Sequence, residues 1–355
     1  MARLSRSVAL IAPFILCSSW ALAQEGPGLA ANYPNDEGLA DDPAVLYFLD
    51  FNDEAETMAW SQGVDGYGWT SEPAHVFNGS GALEISQTVG THDPYEIHPE
   101  IAETDIAYVR WYRKWQPGYD FTQHKMSGVY AKSPDATGAG EIPTGYDKYS
   151  CKLYVDFDRH PRFYTYHPEQ DGIYGDAPHM NLVDPPIAVE ADRWYCFEMM
   201  IKANTVGEHD GELKMWIDGQ LVGHIEGMRF RDTDELKINE FTYSAYVGGN
   251  WTSEQDQQLW DDQIVVATEY IGPLSTGSGG GSSTSTSSSS TSSSGTGAGG
   301  SGGDTNSASN YRTDDGGCGC RTAGGGERTW TGLLLLTALA GLGLRRRGSD
   351  ADRRV

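Results

Sequence analysis

The chain has 355 residues, of which 50 are acidic and 25 are basic, so its formal net charge at pH 7 is −25. This excess of negative charge argues against binding of the whole molecule to nucleic acid or to an anionic lipid surface. The length would allow two domains, but both ends of the chain are typical of targeting segments.

Residues 1–23 have the organisation of a secretory signal peptide. Two arginines come first, an apolar run over residues 8–17 follows, and Ala21-Leu22-Ala23 forms a small-x-small cleavage site. This order predicts an exported protein that is cleaved before Gln24. Residues 24–43 are polar, with Gly and Pro, and we expect them to be a loose lead-in.

Residues 44–273 contain many short apolar runs bounded by Gly, Pro, Asn and Asp. Polar and apolar residues alternate over Tyr149–Val155, as in a strand with one buried face. Asp218-Gly219 lies between two such runs and predicts a tight hairpin. No segment is a convincing amphipathic helix, so we predict one all-β domain, a concanavalin A-like β-sandwich of the jelly-roll type. The clearest strand-like runs are 46–51, 81–86, 106–115, 148–157, 162–167, 194–202, 212–217, 241–247 and 263–268.

Two of the five cysteines, Cys151 and Cys196, belong to the predicted domain. Both lie in strand-like runs, and an exported compartment permits a disulfide. The sequence leaves two alternatives open: a bridge between strands, or two buried free thiols.

The C-terminal part of the chain is organised for display. Residues 274–313 are almost entirely Ser, Thr and Gly and predict a flexible linker. Residues 314–355 contain Cys318 and Cys320, an apolar run over 330–344 and three consecutive arginines. As a helix that run would span ~22 Å of a ~30 Å hydrocarbon core, which makes it a marginal membrane segment with its arginines on the cytoplasmic side.

This arrangement resembles the MYXO-CTERM sorting signal. The resemblance implies a sorting protease that acts near Cys318 and Cys320, and display at the outer surface of the cell envelope. A plain membrane anchor that stays uncleaved is the alternative.

Basic residues are concentrated in one part of this acidic chain. Residues 108–163 contain nine Lys or Arg against six Asp or Glu, a net charge of +3. Three predicted strands in this region each carry cations and tyrosines on one face, because side chains alternate along a strand. The three faces are Arg110, Tyr112 and Lys114; Ser150, Lys152 and Tyr154; and Arg162, Tyr164 and Tyr166.

If these strands adjoin in one sheet, their faces form a surface of cations and phenols. Such a surface suits an anionic, uronate-containing polysaccharide, because cations bind carboxylates and rings stack on sugars. The same groups suit β-elimination, which needs a cation to neutralise the uronate carboxyl, a base for the adjacent proton and an acid for the leaving oxygen.

Residues 111–121 (WYRKWQPGYDF) and 124–128 (HKMSG) resemble the entry to the site of alginate and glucuronan lyases of polysaccharide lyase families 14 and 20. Those families have a concanavalin A-like jelly-roll fold. Family 14 sites use a Lys in a Gly-Lys-Leu-Pro-Gly-like turn, a Ser-x-Arg strand and a Tyr-x-Tyr strand. This chain has Lys125 in the turn, Ser150-x-Lys152 and Tyr164-x-Tyr166, and the resemblance continues over most of 44–273.

The resemblance implies a role for each matching residue. Lys125 would be the base, Tyr164 or Tyr166 the proton donor or second base, and Lys152 with Ser150 the carboxylate holder. Lys152 stands where the family has Arg, which keeps the charge but loses bidentate recognition. We expect Arg110, Tyr112, Lys114 and Arg162 to bind substrate.

Other chemistries have weaker support. Asp50 and Asp262 lie in the first and last strand-like regions and would form a structural Ca²⁺ site if those strands adjoin. No cofactor is required for the proposed chemistry, no histidine has metal-ligand spacing, and no nucleophile elbow or facing pair of carboxylates is evident. We therefore expect a surface-displayed polysaccharide lyase, with a non-catalytic carbohydrate-binding or adhesive module on the same fold as the alternative and a purely structural envelope protein as a third.

Overall fold

A computed structural model describes residues 25–136 and 138–276. The signal peptide, nearly all of the linker, Cys318, Cys320 and the apolar run 330–344 lie outside the described residues. In the part of the chain that the structure describes, no helix is long and apolar enough to cross a membrane.

The described residues form thirteen strands, one α-helix and three short 3₁₀ helices. The 3₁₀ helices are Leu29–Asn32, Pro34–Asp36 and Leu39–Asp41, and α1 is Glu54–Trp60. The strands are β1 Val45–Leu49, β2 Tyr67–Thr70, β3 Ala82–Gln87, β4 Glu100–Thr104, β5 Ile106–Trp115, β6 His124–Lys132, β7 Lys148–Val155, β8 Arg162–Tyr166, β9 Trp194–Lys202, β10 Gly211–Ile217, β11 Gln220–Met228, β12 Ile238–Thr242 and β13 Gln257–Ala267.

The strands form two antiparallel sheets that pack face to face as a jelly-roll β-sandwich. One has the order β11-β10-β9-β5-β13-β3-β2, with β1 also paired to β13, and the other has the order β4-β12-β6-β7-β8. Apolar side chains from both sheets fill the space between them, with Trp111 and Phe197 on one side and Val129 and Leu153 on the other. The predicted fold class is confirmed.

Local sequence signals succeed where the chain obeys a simple pattern. The predicted strands 106–115 and 194–202 coincide with β5 and β9, and Asp218-Gly219 forms the two-residue turn between β10 and β11. Both turn residues have positive φ, 52° and 79°, as a type I′ hairpin turn requires.

Strand β6 was not predicted, and it carries Lys125. The segment HKMSG has the polar composition of a turn, yet His124 and Ser127 are fully buried between strands β7 and β12. A register shift between Lys125 and Gly128 marks a bulge at this point. The expectation of a turn lysine is therefore wrong: Lys125 belongs to a bulged strand.

The lead-in is not loose. Its three 3₁₀ helices cover the outer face of the larger sheet, where Ala30 and Leu39 are fully buried and pack near Tyr108 and Trp216. Asp36 lies under this layer and forms a buried ion pair with Arg110. The prediction failed because the cation that orders this polar segment lies 74 residues away in the sequence.

The two domain cysteines are free, so the disulfide alternative is wrong. Cys151 is in the core between the sheets, whereas Cys196 pairs in register with Tyr112, which is absent from that core. The two thiols thus lie on different sheets and in different packing layers.

Burial raises the pKa of both thiols, to about 12 for Cys196, so neither is a reactive thiolate at neutral pH. We expect an unreduced fragment of residues 24–276 to bind no thiol reagent when folded and two equivalents in denaturant. Cys151→Ala should bind one. Failure of the denatured wild type to react would contradict the free-thiol state.

A buried ion pair of the larger sheet also contacts residues across the core. Arg113 on β5 donates through Nε to Asp261 Oδ1 on β13 at 2.7 Å, and both side chains have no exposed surface. Arg113 also donates across the core to the Ser244 carbonyl (3.0 Å) and contacts His124 Nε2 (3.0 Å), while the Tyr243 hydroxyl donates to Asp261 (2.6 Å).

We expect Asp261→Asn to lower the free energy of unfolding by about 3–5 kcal/mol, because it leaves Arg113 charged and buried without its counter-charge. Arg193→Met is the matched control, since Arg193 and Asp218 form an exposed pair and its loss should cost about 1 kcal/mol or less. Urea unfolding measures both, and equal effects would contradict the structural role of the buried pair.

Candidate active site

The five residues predicted for catalysis lie together on the outer face of the smaller sheet. The strand register places Ser150 beside Tyr166, Lys152 beside Tyr164 and Lys125 beside Tyr154. Directly opposed residues on neighbouring strands have Cβ atoms about 5 Å apart. The fold therefore brings Lys125, Ser150, Lys152, Tyr164 and Tyr166 into one cluster.

Lys125 and the tyrosine pair form the centre of this cluster. Lys125 Nζ lies 3.7 Å from the ring centroid of Tyr164 and 4.4 Å from that of Tyr154, within the range of cation–π attraction. The hydroxyls of Tyr164 and Tyr166 are 3.2 Å apart. A proton can pass between these two phenols.

Two glycines make room for the lysines. A Cβ at Gly248 would meet Lys125 Cε at 2.5 Å, and a Cβ at Gly128 would meet the Cys151 carbonyl oxygen at 2.1 Å and Lys152 Cα at 2.6 Å. Any larger side chain at Gly248 would displace Lys125, and any at Gly128 would force the β6 and β7 backbones apart. The absence of side chains here lets the long lysines lie along the sheet.

Lys152 already holds a carboxylate of the protein itself. Its buried ammonium forms an ion pair with the half-buried Glu96, and Glu96 also accepts a hydrogen bond from the Ser244 hydroxyl. Burial alone would raise the pKa of Glu96, but Lys152 holds it below its usual value. Burial opposes the charge of Lys152, yet Tyr130 and Glu96 raise its pKa well above the usual value, so both groups are charged at neutral pH.

The accessible surface over the cluster is aromatic. Tyr130, Tyr164 and Tyr246 are half-buried, while Lys125, Lys152, Ser150 and Tyr166 lie beneath them. Burial raises the pKa of Tyr164 well above its usual value and that of Tyr246 to about 12, so both phenols keep their protons at neutral pH. The Ser150 hydroxyl has no hydrogen-bond partner in the part of the chain that the structure describes.

Of the four residues predicted to bind substrate, only Arg162 reaches this site. It lies on β8, 3.3 Å from the Tyr154 hydroxyl, and pairs with Asp158. The other three are on β5 in the larger sheet: Arg110 pairs with Asp36, the Tyr112 ring stacks on Phe77 at 3.7 Å, and Lys114 pairs with Asp192 at 2.8 Å.

The assumption that three cationic faces share one sheet is therefore wrong. Strand β5 pairs with β9 and β13, and β7 pairs with β6 and β8. Alternation along a strand identifies which residues share a face, but the sheet to which that face belongs depends on the long-range pairing.

The two residues predicted for calcium lie on one strand pair, since β1, which ends just before Asp50, pairs with β13, which contains Asp262. Asp262 accepts hydrogen bonds from three backbone amides, those of Phe77, Asn78 and Gln263. Within residues 25–136 and 138–276, no group of three or more His, Cys, Asp or Glu side chains could hold a metal ion. The calcium site stays a prediction.

Sequence reasoning missed Glu96, Tyr130 and Tyr246. Glu96 lies in the connection between β3 and β4, outside any strand pattern. Tyr246 lies in the predicted run 241–247, but it follows the end of β12. The one available signal is physical: a lysine on a buried strand needs a counter-charge, but the sequence contains 50 acidic residues that could supply it.

Comparisons with known proteins bear on the fold and on part of the chain. The model of the family described as polysaccharide lyase 14 matches residues 185–264, which run from before β9 into β13 and do not include the three strands of the cluster. No characterised protein sequence matches the chain significantly.

Solved alginate lyases have a similar structure. The enzyme from Chlorella virus has a TM-score of 0.52 at 16% identity, and the polysaccharide lyase 14 enzyme from Aplysia kurodai has 0.51 at 14%; in both cases 63% of this chain and 99% of the other are covered. Alginate lyase Aly36B has a TM-score of 0.50 at 16% identity, over 65% of this chain and 99% of its own. The described domain has the fold of these alginate lyases, and the family match supports a relationship to the polysaccharide lyases.

Proposed function

We propose that this protein is a polysaccharide lyase that cleaves a uronate-containing polysaccharide by β-elimination. The observation that carries the proposal is the convergence of Lys125 with the phenols of Tyr164 and Tyr166 on the outer face of the smaller sheet. The similar alginate lyases and the family match support the same class of reaction.

In the proposed reaction, a base removes the proton next to the uronate carboxyl. The electron pair of that C–H bond forms a C=C double bond, and the bond to the glycosidic oxygen breaks with its pair going to the oxygen. We assign the base to Lys125 in its neutral amine form and the acid that protonates the leaving oxygen to Tyr164, whose raised pKa keeps it protonated. Tyr166 passes a proton to Tyr164 through their hydroxyl contact, and the proton taken up by Lys125 then returns to the phenol pair, so that the amine is neutral and both phenols are protonated for the next cycle.

The second candidate function is a non-catalytic carbohydrate-binding or adhesive module. The pairing of Lys152 with Glu96 favours it, because a lysine that already holds a carboxylate is a weaker holder for a second one. Export, surface display, membrane attachment through residues 330–344 and recognition by a sorting protease are further parts of the proposal, and they rest on the terminal sequences alone.

We expect purified protein incubated with alginate or glucuronan to form unsaturated ends that absorb in the far ultraviolet. Lys125→Ala and Tyr164→Phe should each lower kcat by about 10²–10⁴-fold, the contribution typical of a general acid or base. Tyr166→Phe should lower kcat by less, because Tyr166 acts only by passing a proton to Tyr164. Lys237→Ala and Tyr33→Phe make the same changes away from the cluster and should keep full activity. Binding of these polymers without any rise in absorbance would favour the binding module.

We also expect Gly248→Ala to lower kcat at least about tenfold while the melting temperature changes little, because the new Cβ overlaps only the flexible end of Lys125. Gly138→Ala is the matched control, since a Cβ added at Gly138 would have no other atom within 4 Å. Full activity of Gly248→Ala would argue that the position of Lys125 does not matter.

A further inference from the structure

Glu96 is fixed in place on Lys152. It lies in the connection between β3 and β4, and the next residue, Ile97, forms two backbone hydrogen bonds with Tyr243, of 2.8 and 3.2 Å. The Ser244 hydroxyl then donates to Glu96 from the same chain segment. The Lys152 side chain is only 3% exposed and that of Glu96 is 19% exposed, so the carboxylate is the member of the pair that solvent reaches more easily.

A substrate carboxylate over Lys152 would face two unfavourable arrangements. If it displaced Glu96, that residue would become a nearly buried charge without its partner. If it stayed beside Glu96, two like charges would be in contact in a partly desolvated site. An uncharged sugar group over Lys152 avoids both.

On the neighbouring strands, too, a basic side chain is paired with an acidic one. Glu240 on β12 lies in register with Tyr130 on β6, which in turn lies beside Ser150 on β7. Glu240 binds Lys132 Nζ at 3.0 Å and His98 Nδ1 at 2.7 Å. Lys132, the cation on this side of the cluster, is thus paired with an acid, as Lys152 is paired with Glu96.

We propose that Glu96 is a specificity-determining residue that excludes a free carboxylate from the sugar unit lying over Lys152. The substrate class that fits is a polyuronate with part of its carboxyl groups masked, for example as esters, or separated by neutral sugars. This inference rests on the proposed function for the placement of the sugar chain over the cluster, but its test measures binding as well as cleavage.

The experiment measures binding of the full chain to alginate and to the same alginate after partial esterification, by affinity electrophoresis. Wild-type protein should bind the esterified polymer at least as tightly as alginate. Glu96→Gln should shift the ratio of the two affinities towards alginate by about tenfold or more, since it removes a like charge from the contact. In the background of Glu96→Gln, Lys152→Gln should abolish this gain.

Glu226→Gln makes the same change of charge on β11 in the other sheet and should leave the ratio unchanged. Since Glu96→Gln leaves Lys152 without its counter-charge, folding is checked by circular dichroism. Ser244→Ala keeps both charges and removes one hydrogen bond that holds Glu96, so it should shift the ratio in the same direction by less. If Glu96→Gln does not fold, the affinity ratio of Ser244→Ala by itself tests the role of Glu96.

Three outcomes separate this inference from the proposed function. Binding of alginate with an unchanged ratio in Glu96→Gln and Ser244→Ala overturns the role of Glu96 and leaves the lyase proposal standing. The expected shift without unsaturated ends in any variant supports Glu96 and overturns the lyase. No binding of either polymer by any variant overturns both.

Discussion

The candidate site depends on one buried ion pair, that of Arg113 with Asp261. This guanidinium reaches from the larger sheet across the core to His124 and to the carbonyl of Ser244. His124 precedes Lys125, and Ser244 carries the hydroxyl that holds Glu96. Arg113, held by Asp261, therefore hydrogen-bonds across the core next to Lys125 and to the residue that holds Glu96.

The chemistry of His124 follows from this pair. Burial and the nearby Arg113 hold the pKa of His124 well below its usual value, so the ring is neutral at physiological pH. Its Nε2 accepts from Arg113, which assigns the ring proton to Nδ1, where the Tyr119 hydroxyl lies at 3.1 Å. The Tyr119 hydroxyl donates in turn to Gln87 at 2.6 Å. A chain of satisfied buried polar groups rigidifies the start of β6, as such networks do.

The electrostatics of the site differ from those of the sequence segment that forms it. Residues 108–163 carry a net positive charge, but acids from distant parts of the chain pair with their cations: Asp36 with Arg110, Glu96 with Lys152 and Glu240 with Lys132. The smaller sheet thus presents rings and paired charges rather than an open cationic surface. Such a surface favours recognition of a polysaccharide through stacking of aromatic rings on sugar faces, with charged contacts at only a few positions.

Sequence alone determined the properties that arise from local periodicity and turn chemistry. The all-β class, strands β5 and β9, the Asp218-Gly219 hairpin and the shared face of Ser150 and Lys152 follow from alternation and from backbone preferences, which act over a few residues. The convergence of Lys125 with Tyr164 and Tyr166 came from a family resemblance rather than from such patterns.

Only the tertiary structure decided what depends on contacts between distant segments. It assigned Arg110 and Tyr112 to the other sheet, made a strand of the polar segment around Lys125, kept Cys151 apart from Cys196 and placed Glu96 on Lys152. The physical reason is the same in each case. Many residues of the chain could pair with a given strand or neutralise a given buried charge. The packing of the whole sandwich selects which of them does so.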